Sequence, residues 1–237
     1  MELSGINEIV LGKSLQVYAC DSESVALQDY LTTIYRLEDV YGVARTGMIA
    51  TELGVTPATV TKMVAKLHKL GLVYYDKYRG VRLTEQGKRA AESIIKKHRM
   101  CECFLKFVLK FSLAESHIYA HIMEHLPNTI VEKLFELAGR PSRCPHGNPI
   151  PGVSTSRRID NEYALCDVTA PCKVKVIRIA GEFRAVLEFL DDVGIEVGSV
   201  LEVESVNSKV VNVRKAECGC PVSIPRLYAY HVKVMKL

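Results

Sequence analysis

No apolar run in the 237 residues approaches the ~18 to 20 needed to span a bilayer, so a membrane helix is not expected. Met1 to Leu11 have neither a basic start nor a long apolar stretch, so secretion is not expected and a cytoplasmic location is. No two of the eight cysteines stand as C-x-x-C, which gives no support to a four-cysteine zinc knuckle. In a reducing cytoplasm their thiols are expected to be free. Internal repeats and low-complexity tracts are absent as well. With 48% apolar and 24% charged residues the balance is that of a globular chain, which excludes wholesale disorder and a coiled-coil-only chain. Length alone allows one to three domains.

There is also little net charge, +4, but it is unevenly placed. Residues 1–26 hold one Lys against four acids, whereas residues 27–110 hold fifteen Lys/Arg against eight. Residues 111–160 balance at five of each and residues 161–237 at ten of each. The excess of positive charge sits in one segment, the pattern of a phosphate-binding footprint.

That segment has a readable order. Leu27, Tyr30, Leu31, Ile34 and Leu37 recur at helical spacing over 24–40, with Ser24 as the expected cap. A short helix over 46–53 ends at Gly54. Thr56 then caps another that begins with Pro57, where a missing N–H costs nothing, and runs to Gly71. Two β segments, LVYYDK and GVRLT, follow with a basic turn between them. This is a winged helix-turn-helix. Thr56, Ala58, Thr59, Thr61, Lys62 and Lys66 on the second helix, and Lys77 and Arg79 on the wing, are the candidate DNA contacts. The plainer alternative is a solvated basic face without a partner.

Helices are expected over 84–110, from Ser112 to about Leu126, and over 128–138. Ser112 and Glu115 supply a capping box for the middle one. Phe104, Leu105, Val108, Ile118, Ile122, Leu134 and Phe135 are many apolar residues for a small bundle, and a dimer seam would use them. The organisation expected is an extension over 1–23, the winged unit over 24–90, and a helical metal-binding and dimerisation unit over 91–140. A proline-rich linker over 141–162 and a small SH3-like β barrel over 163–237, interrupted by a helix near 182–192, complete it.

Five of the seven histidines fall between 98 and 146. At ~100° per residue, His117, His121, Glu124 and His125 share an arc of about 100° on one helix. His98 and Glu102 form an i, i+4 pair on the preceding helix. If the two helices are antiparallel neighbours, these groups can face each other around one or two divalent ions. Imidazole with carboxylate suits first-row metals. A polar face of histidines paired with acids is the bland alternative. A rival reading takes His121-Ile122-Met123-Glu124-His125 as H-x-x-E-H, a zinc metallopeptidase pattern with Glu124 as general base. Cys218-Gly219-Cys220 could be a redox or metal feature, although two thiols in a turn are more often incidental.

Taken together, DYLTTIYRLED (29–39), VTPATVTKMVAKLHKLGLV (55–73), KYRGVRLTEQGK (77–88), KKHRMCE (96–102), HIMEHL (121–126) and CPHGNPIPG (144–152) resemble the diphtheria-toxin-repressor family of iron- or manganese-activated transcriptional repressors. The resemblance spans roughly 25–237, and the last segment is similar to the FeoA-like domain that many members carry. It implies a first metal site from Asp29, His121, Glu124 and His125, and a second from His98, Glu102 and His117. Cys144 and His146 can join the second, as can an acid of the last domain, for which Glu182 is the candidate. His121 departs from the family, which places Cys there in iron sensors and Glu in manganese sensors. The implied function is repression, by a homodimer on double-stranded operator DNA, of metal-uptake genes, with Fe²⁺ (or Mn²⁺) as corepressor and no small-molecule substrate.

Overall fold

A computed structural model describes residues 22–154 and 161–237. The expected extension over 1–23 lies outside the described residues except for its last two.

Helix α1, Ser22–Tyr41, starts two residues before Ser24, which therefore lies inside the helix rather than capping it. Tyr30, Leu31, Ile34 and Leu37 are buried as the periodicity requires. Thr32, Thr33 and Arg36 are buried too, because α1 is packed on more than one side. Helix α2, Thr46–Leu53, ends at Gly54, whose φ of 64° is the left-handed turn only glycine takes cheaply. Helix α3, Pro57–Lys69, begins where the Thr56 hydroxyl accepts the Thr59 N–H. Its Val60, Val64 and Leu67 point to the core at i, i+4, i+7.

Strands β1 (Val73–Asp76) and β2 (Gly80–Leu83) form the wing, in antiparallel register from Val73↔Leu83 to Asp76↔Gly80. The wing tip is shaped by Asp76, whose carboxylate accepts the N–H groups of Tyr78 and Arg79 at 2.8 Å each.

Helix α4 runs Glu85–Cys103, shorter than the expected 84–110. It widens into a π turn over Phe104–Val108 and stops before Lys110, which sits at φ 65°. Helix α5, Leu113–Met123, has the Ser112/Glu115 capping box. A second cap comes from far away: the Asp191 carboxylate accepts the N–H groups of Leu113 at 3.2 Å and Ala114 at 2.9 Å. Helix α6, Asn128–Leu137, closes the bundle. Leu105 and Phe135 are buried inside it, so they serve the protomer's own core and not a seam. Val108, Ile118 and Ile122 stay exposed, as do Phe107, Leu109 and Tyr119. These side chains are available to an interface.

The proline-rich segment is no free linker over its described part. Cys144, His146, Asn148 and Ile150 are buried in a tight loop. Gly147, at φ 78°, lies so close to the strand Cys172–Ile179 that a Cβ would sit 2.2 Å from the Ile177 carbonyl oxygen. The loop is a seam between the bundle and the β domain.

The β domain is one antiparallel six-stranded sheet, in the order β3-β8-β4-β5-β6-β7. Its strands are β3 (Tyr163–Ala164), β4 (Cys172–Ile179), β5 (Val200–Val206), β6 (Val210–Lys215), β7 (Pro221–Pro225) and β8 (Val232–Lys236). Edge strands β3 and β7 were not expected. The first is two residues long, and the second has proline at both ends, which sequence patterns count against a strand. Tyr228, in the short helix α8 (Arg226–Ala229), and Tyr230 and His231, in the turn beyond it, precede β8, although the YAYHVKV segment alternates like a strand from Tyr228 onward. Helix α7, Arg184–Val193, lays Val186, Leu187 and Leu190 on the sheet. No described helix is long and apolar enough to cross a membrane.

This domain docks onto α1. The Arg178 guanidinium donates to Asp39 at 3.0 Å, and the Tyr41 hydroxyl donates to His231 Nε2 at 2.9 Å. His231 Nδ1 in turn faces the Ala180 carbonyl at 3.1 Å, so the ring is neutral with its proton on Nδ1.

Candidate metal centre and DNA-reading face

Helices α4 and α5 are neighbours, and the spacing that aligned the acids and histidines on each brings them face to face. His98 sits at the middle, fully buried. Its Nδ1 meets Glu124 at 2.5 Å, and its Nε2 meets Glu102 at 2.9 Å and His117 at 3.0 Å. It belongs to one of three donor groups. Asp29, Glu124 and His125 form one, His98, His117 and His121 a second, and Glu102, Cys144, His146 and Glu182 a third, each with ligand atoms within 4.8 Å.

All ten candidate ligands therefore fall in these groups, but the partition differs from the expected one. His121 joins the other histidines and lies 3.8 Å from Glu124. Glu102 stands apart from His98 and His117 in the grouping and bridges to the loop, 3.3 Å from His146. The peptidase pattern fails on geometry. His121 and His125 belong to different groups, and Glu124 is itself a donor, buried and bonded to His98.

Buried carboxylate oxygens without a hydrogen-bond partner occur in two groups, at Glu124 Oε1, Glu102 Oε2 and Glu182 Oε2. Glu102 Oε2 lies 3.3 Å from His146 Nδ1, Glu182 Oε2 lies 3.5 Å from Arg36 Nε, and Glu124 Oε1 lies 3.9 Å from His125 Nε2, so these buried charges have only long ion pairs in place of hydrogen bonds, and a cation would compensate them further. The donor set fits a divalent first-row ion.

Sequence reasoning missed two cations in this region. The Arg99 guanidinium donates to Glu182 at 3.2 Å and to the Pro149 carbonyl at 2.7 Å. The Arg36 guanidinium, 2% exposed, lies 3.5 Å from Glu182 and 3.5 Å from His121 Nε2. Arg36 thus stands between the groups on α5 and the group on the loop. Two arginines within otherwise ordinary helices carry no motif that would have revealed them.

Electrostatics follow from this packing. Burial works against ionisation at Glu182, yet Arg99 and Arg36 hold its carboxyl down at about 2. Burial likewise opposes a charge on His98, but Glu102 and Glu124 outweigh it and lift the imidazole to about 9. Burial dominates at His121, which falls to about 4, and at His231, also about 4. Asp29 is raised, by burial first and by the charge of Glu124 second.

A pH dependence of stability follows. The stabilisation from His98 is complete below the unfolded value near 6.5 and is lost as pH rises through about 9. His121 and His231 are neutral when folded, so their contribution is present above 6.5 and lost as pH falls through about 4. With a chelator present, the Tm of the full chain is expected to peak near pH 6.5. Between pH 6.5 and 9 the His98 contribution is on the order of 3 kcal/mol, or roughly 5–10 °C. Thermal denaturation across pH 5 to 9 checks this, and a Tm that does not fall above pH 6.5 contradicts it.

On α3 the residues opposite the core, Thr56, Ala58, Thr59, Thr61 and Lys62, are exposed and Lys66 is half-buried. Thr61 donates to the Pro57 carbonyl at 2.9 Å, and the Thr56 and Thr59 hydroxyls bond each other at 2.9 Å. Lys77 and Arg79 are exposed on the wing. Tyr78, 92% exposed between them, is an aromatic at the tip that the charge pattern did not single out.

Comparisons with known proteins agree with this layout. Residues 24–81 match the iron dependent repressor N-terminal DNA-binding domain, and residues 84–152 match the iron dependent repressor metal-binding and dimerisation domain. The chain is 27% identical over 219 residues to a diphtheria toxin repressor of Corynebacterium glutamicum, covering 88% of this chain and 95% of that protein. The solved structure of T. acidophilum IdeR superimposes with a TM-score of 0.76 at 27% identity, over 89% of this chain and 97% of that one. A manganese-dependent transcriptional repressor solved with manganese does so with a TM-score of 0.76 at 28% identity, over 89% and 100%. With a reading head, a metal-binding dimerisation bundle and a β domain in this order, the chain belongs to the diphtheria-toxin-repressor family and is a metal-dependent, DNA-binding transcriptional repressor, not an enzyme.

Proposed function

We propose that Fe²⁺ is the corepressor and that the ion acts by fixing the reading head relative to the dimer. The observation that carries this reading is the composition of the first donor group. Asp29 comes from α1, which supports the head, whereas Glu124 and His125 come from the end of α5. Asp29, His121, Glu124 and His125 would hold one ion. His98, Glu102, His117, Cys144, His146 and Glu182 would supply the second site. When bound, the ion supplies positive charge that two separately folded elements share. Uncompensated, the Glu124 charge disfavours ionised Asp29, so the head is free to sample other angles. A fixed angle selects the dimer whose recognition helices are spaced for successive major grooves, ~34 Å apart.

The exposed apolar face of α5 and the π turn would form the homodimer seam. Residues 24–90, 91–140 and 163–237 would then be the reading head, the bundle and the β domain, with 141–162 as the packed seam between the last two. Genes for metal uptake are the natural targets of a repressor that responds to sufficiency.

Imidazoles and the Cys144 thiol are softer donors than Mn²⁺ prefers, whereas the Asp29 carboxylate suits Mn²⁺. Anaerobic titration of operator binding with Fe²⁺, Mn²⁺ and Zn²⁺ tests the assignment. Activation at the lowest free concentration by Fe²⁺ is expected, and activation by Mn²⁺ alone would replace iron with manganese.

Lys62 and Arg79, both exposed, would be phosphate contacts. Each such contact releases counterions, so the slope of log K against log[salt] is expected to fall by about 1 per residue removed. The Lys62→Ala/Arg79→Ala double variant should lower it by about 2 while binding weakens evenly across sequences. An unchanged slope in fluorescence-anisotropy titrations would remove both residues from the interface.

A further inference from the structure

Cys218 and Cys220 have no part in the metal centre. They occupy the turn between β6 and β7, joined as a disulfide across Gly219, with Cα atoms 5.3 Å apart. From these residues we propose that the tip of this hairpin is a reversible thiol–disulfide exchange centre, taking low-molecular-weight disulfides as its substrate class.

A structural staple is a poor explanation for this bond. Disulfides stabilise by removing freedom from the unfolded chain, and the effect shrinks with the loop closed. Here the loop holds a single residue between the cysteines. The turn is also held without the sulfurs. The Cys220 carbonyl accepts the Lys215 N–H at 3.0 Å, and the Lys215 carbonyl accepts the Gly219 N–H at 2.8 Å. The Gly219 carbonyl accepts a bond from the Arg214 guanidinium at 2.7 Å. Opening the disulfide therefore leaves the turn in place, and closing it again needs no large rearrangement.

Chemistry at the tip favours exchange. Both cysteines are exposed, and so are Ala216, Glu217 and Pro221 around them. A small solute can reach the sulfurs. The Cys220 N–H donates to Cys218 Sγ at 3.3 Å, and the Arg214 guanidinium is anchored on the carbonyl between the two residues. The Arg214 guanidinium is also paired with Glu204 at 2.8 Å, so it is the N–H at Cys218 Sγ that stabilises a thiolate there and makes Cys218 the attacking sulfur.

The other described cysteines are poor competitors. Cys101, Cys103, Cys144 and Cys166 are buried. Burial and nearby carboxylates push the Cys101 thiol up to about 12 and raise Cys103 and Cys144 further.

The exchange balances without another reactant. The Cys218 thiolate attacks one sulfur of R–S–S–R, the S–S bond breaks, and the first RS⁻ leaves to take up the proton that Cys218 gave up. The Cys220 thiolate then attacks Cys218 Sγ and expels the second RS⁻, which takes up the proton from Cys220. Two protein thiols are oxidised by two electrons, and one small disulfide is reduced to two thiols.

The test uses the full chain in glutathione buffers of graded thiol-to-disulfide ratio, quenched by alkylation and read by peptide mass. A single two-electron transition confined to Cys218 and Cys220 is expected, with the buried cysteines unmodified throughout. Cys220→Ser should trap a glutathione mixed disulfide on Cys218 about tenfold faster than one forms on half-buried Cys172. The proposal is overturned if the pair stays oxidised at the most reducing ratio or stays reduced at the most oxidising one. It is also overturned if Cys220→Ser traps no mixed disulfide, or traps it no faster than Cys172.

Discussion

Glu124→Gln is expected to remove the metal dependence of operator binding while the chain remains a dimer. The carboxylate closes α5, is buried, and offers one oxygen to His98 while the other has no partner. Among the described residues it groups with Asp29 on α1 and also bonds the imidazole of His98. Gln keeps the volume and removes the charge, so packing at the end of α5 is preserved. What disappears is the anionic oxygen that a cation needs and the negative charge that makes Asp29 reluctant to ionise. A coupling between metal and DNA of 1–3 kcal/mol corresponds to a change of up to about 100-fold in operator affinity. Glu124→Gln should bind operator equally with metal and with chelator, at the weaker of the two wild-type affinities. Anisotropy titrations in both conditions, with sedimentation to confirm the dimer, measure this. Tight binding by Glu124→Gln in chelator would show that the head is not held apart by this site, and an intact metal response would show that the ion does not need Glu124.

Much of the reading head was legible in the sequence because its determinants are local. The Thr56 cap, Pro57, Gly54 and the spacing of Val60, Val64 and Leu67 all act within four or five residues. The donor face on α5 was legible for the same reason, since His117, His121, Glu124 and His125 lie within little more than two helical turns. What was hidden depends on contacts across the chain. Asp191 caps a helix that starts 78 residues before it, and Arg36 meets Glu182 from the opposite end of the fold. Helical periodicity assumes a single buried side. Helix α1 has more, because the β domain covers the side where Arg36 and Tyr41 would otherwise face water. A similar limit applies to 141–162. Proline and glycine content reads as a linker, but Gly147 is there because only a residue without Cβ lets the loop touch β4.

The same hidden contact yields the larger stability effect. Glu182 is fully buried with two guanidiniums, Arg36 and Arg99, and accepts a further bond from Asn148 at 2.7 Å. Breaking a buried ion pair by removing one partner costs about 3–5 kcal/mol, because the remaining charge is left without compensation. Glu182→Leu is therefore expected to lower the stability of the chelator-treated chain by that amount and to loosen the β domain from α1. The two arginines differ in what they have left. Arg99 keeps the Pro149 carbonyl, whereas Arg36 Nε and Nη2 have no hydrogen-bond partner at all. Removing Arg36 as well should therefore recover on the order of 1–3 kcal/mol, the range of coupling measured for residues in direct contact. Denaturant titrations of wild type, Arg36→Leu, Glu182→Leu and the double variant close the cycle. A coupling below about 0.5 kcal/mol would mean that Arg36 is stabilised by something other than Glu182. Strong coupling has a further consequence for the metal centre. A cation entering beside Glu102, Cys144 and His146 must share Glu182 with Arg36, whose helix carries Asp29. Loading the loop site would then be felt at the reading head through a displaced arginine, with no contact between the ion and DNA.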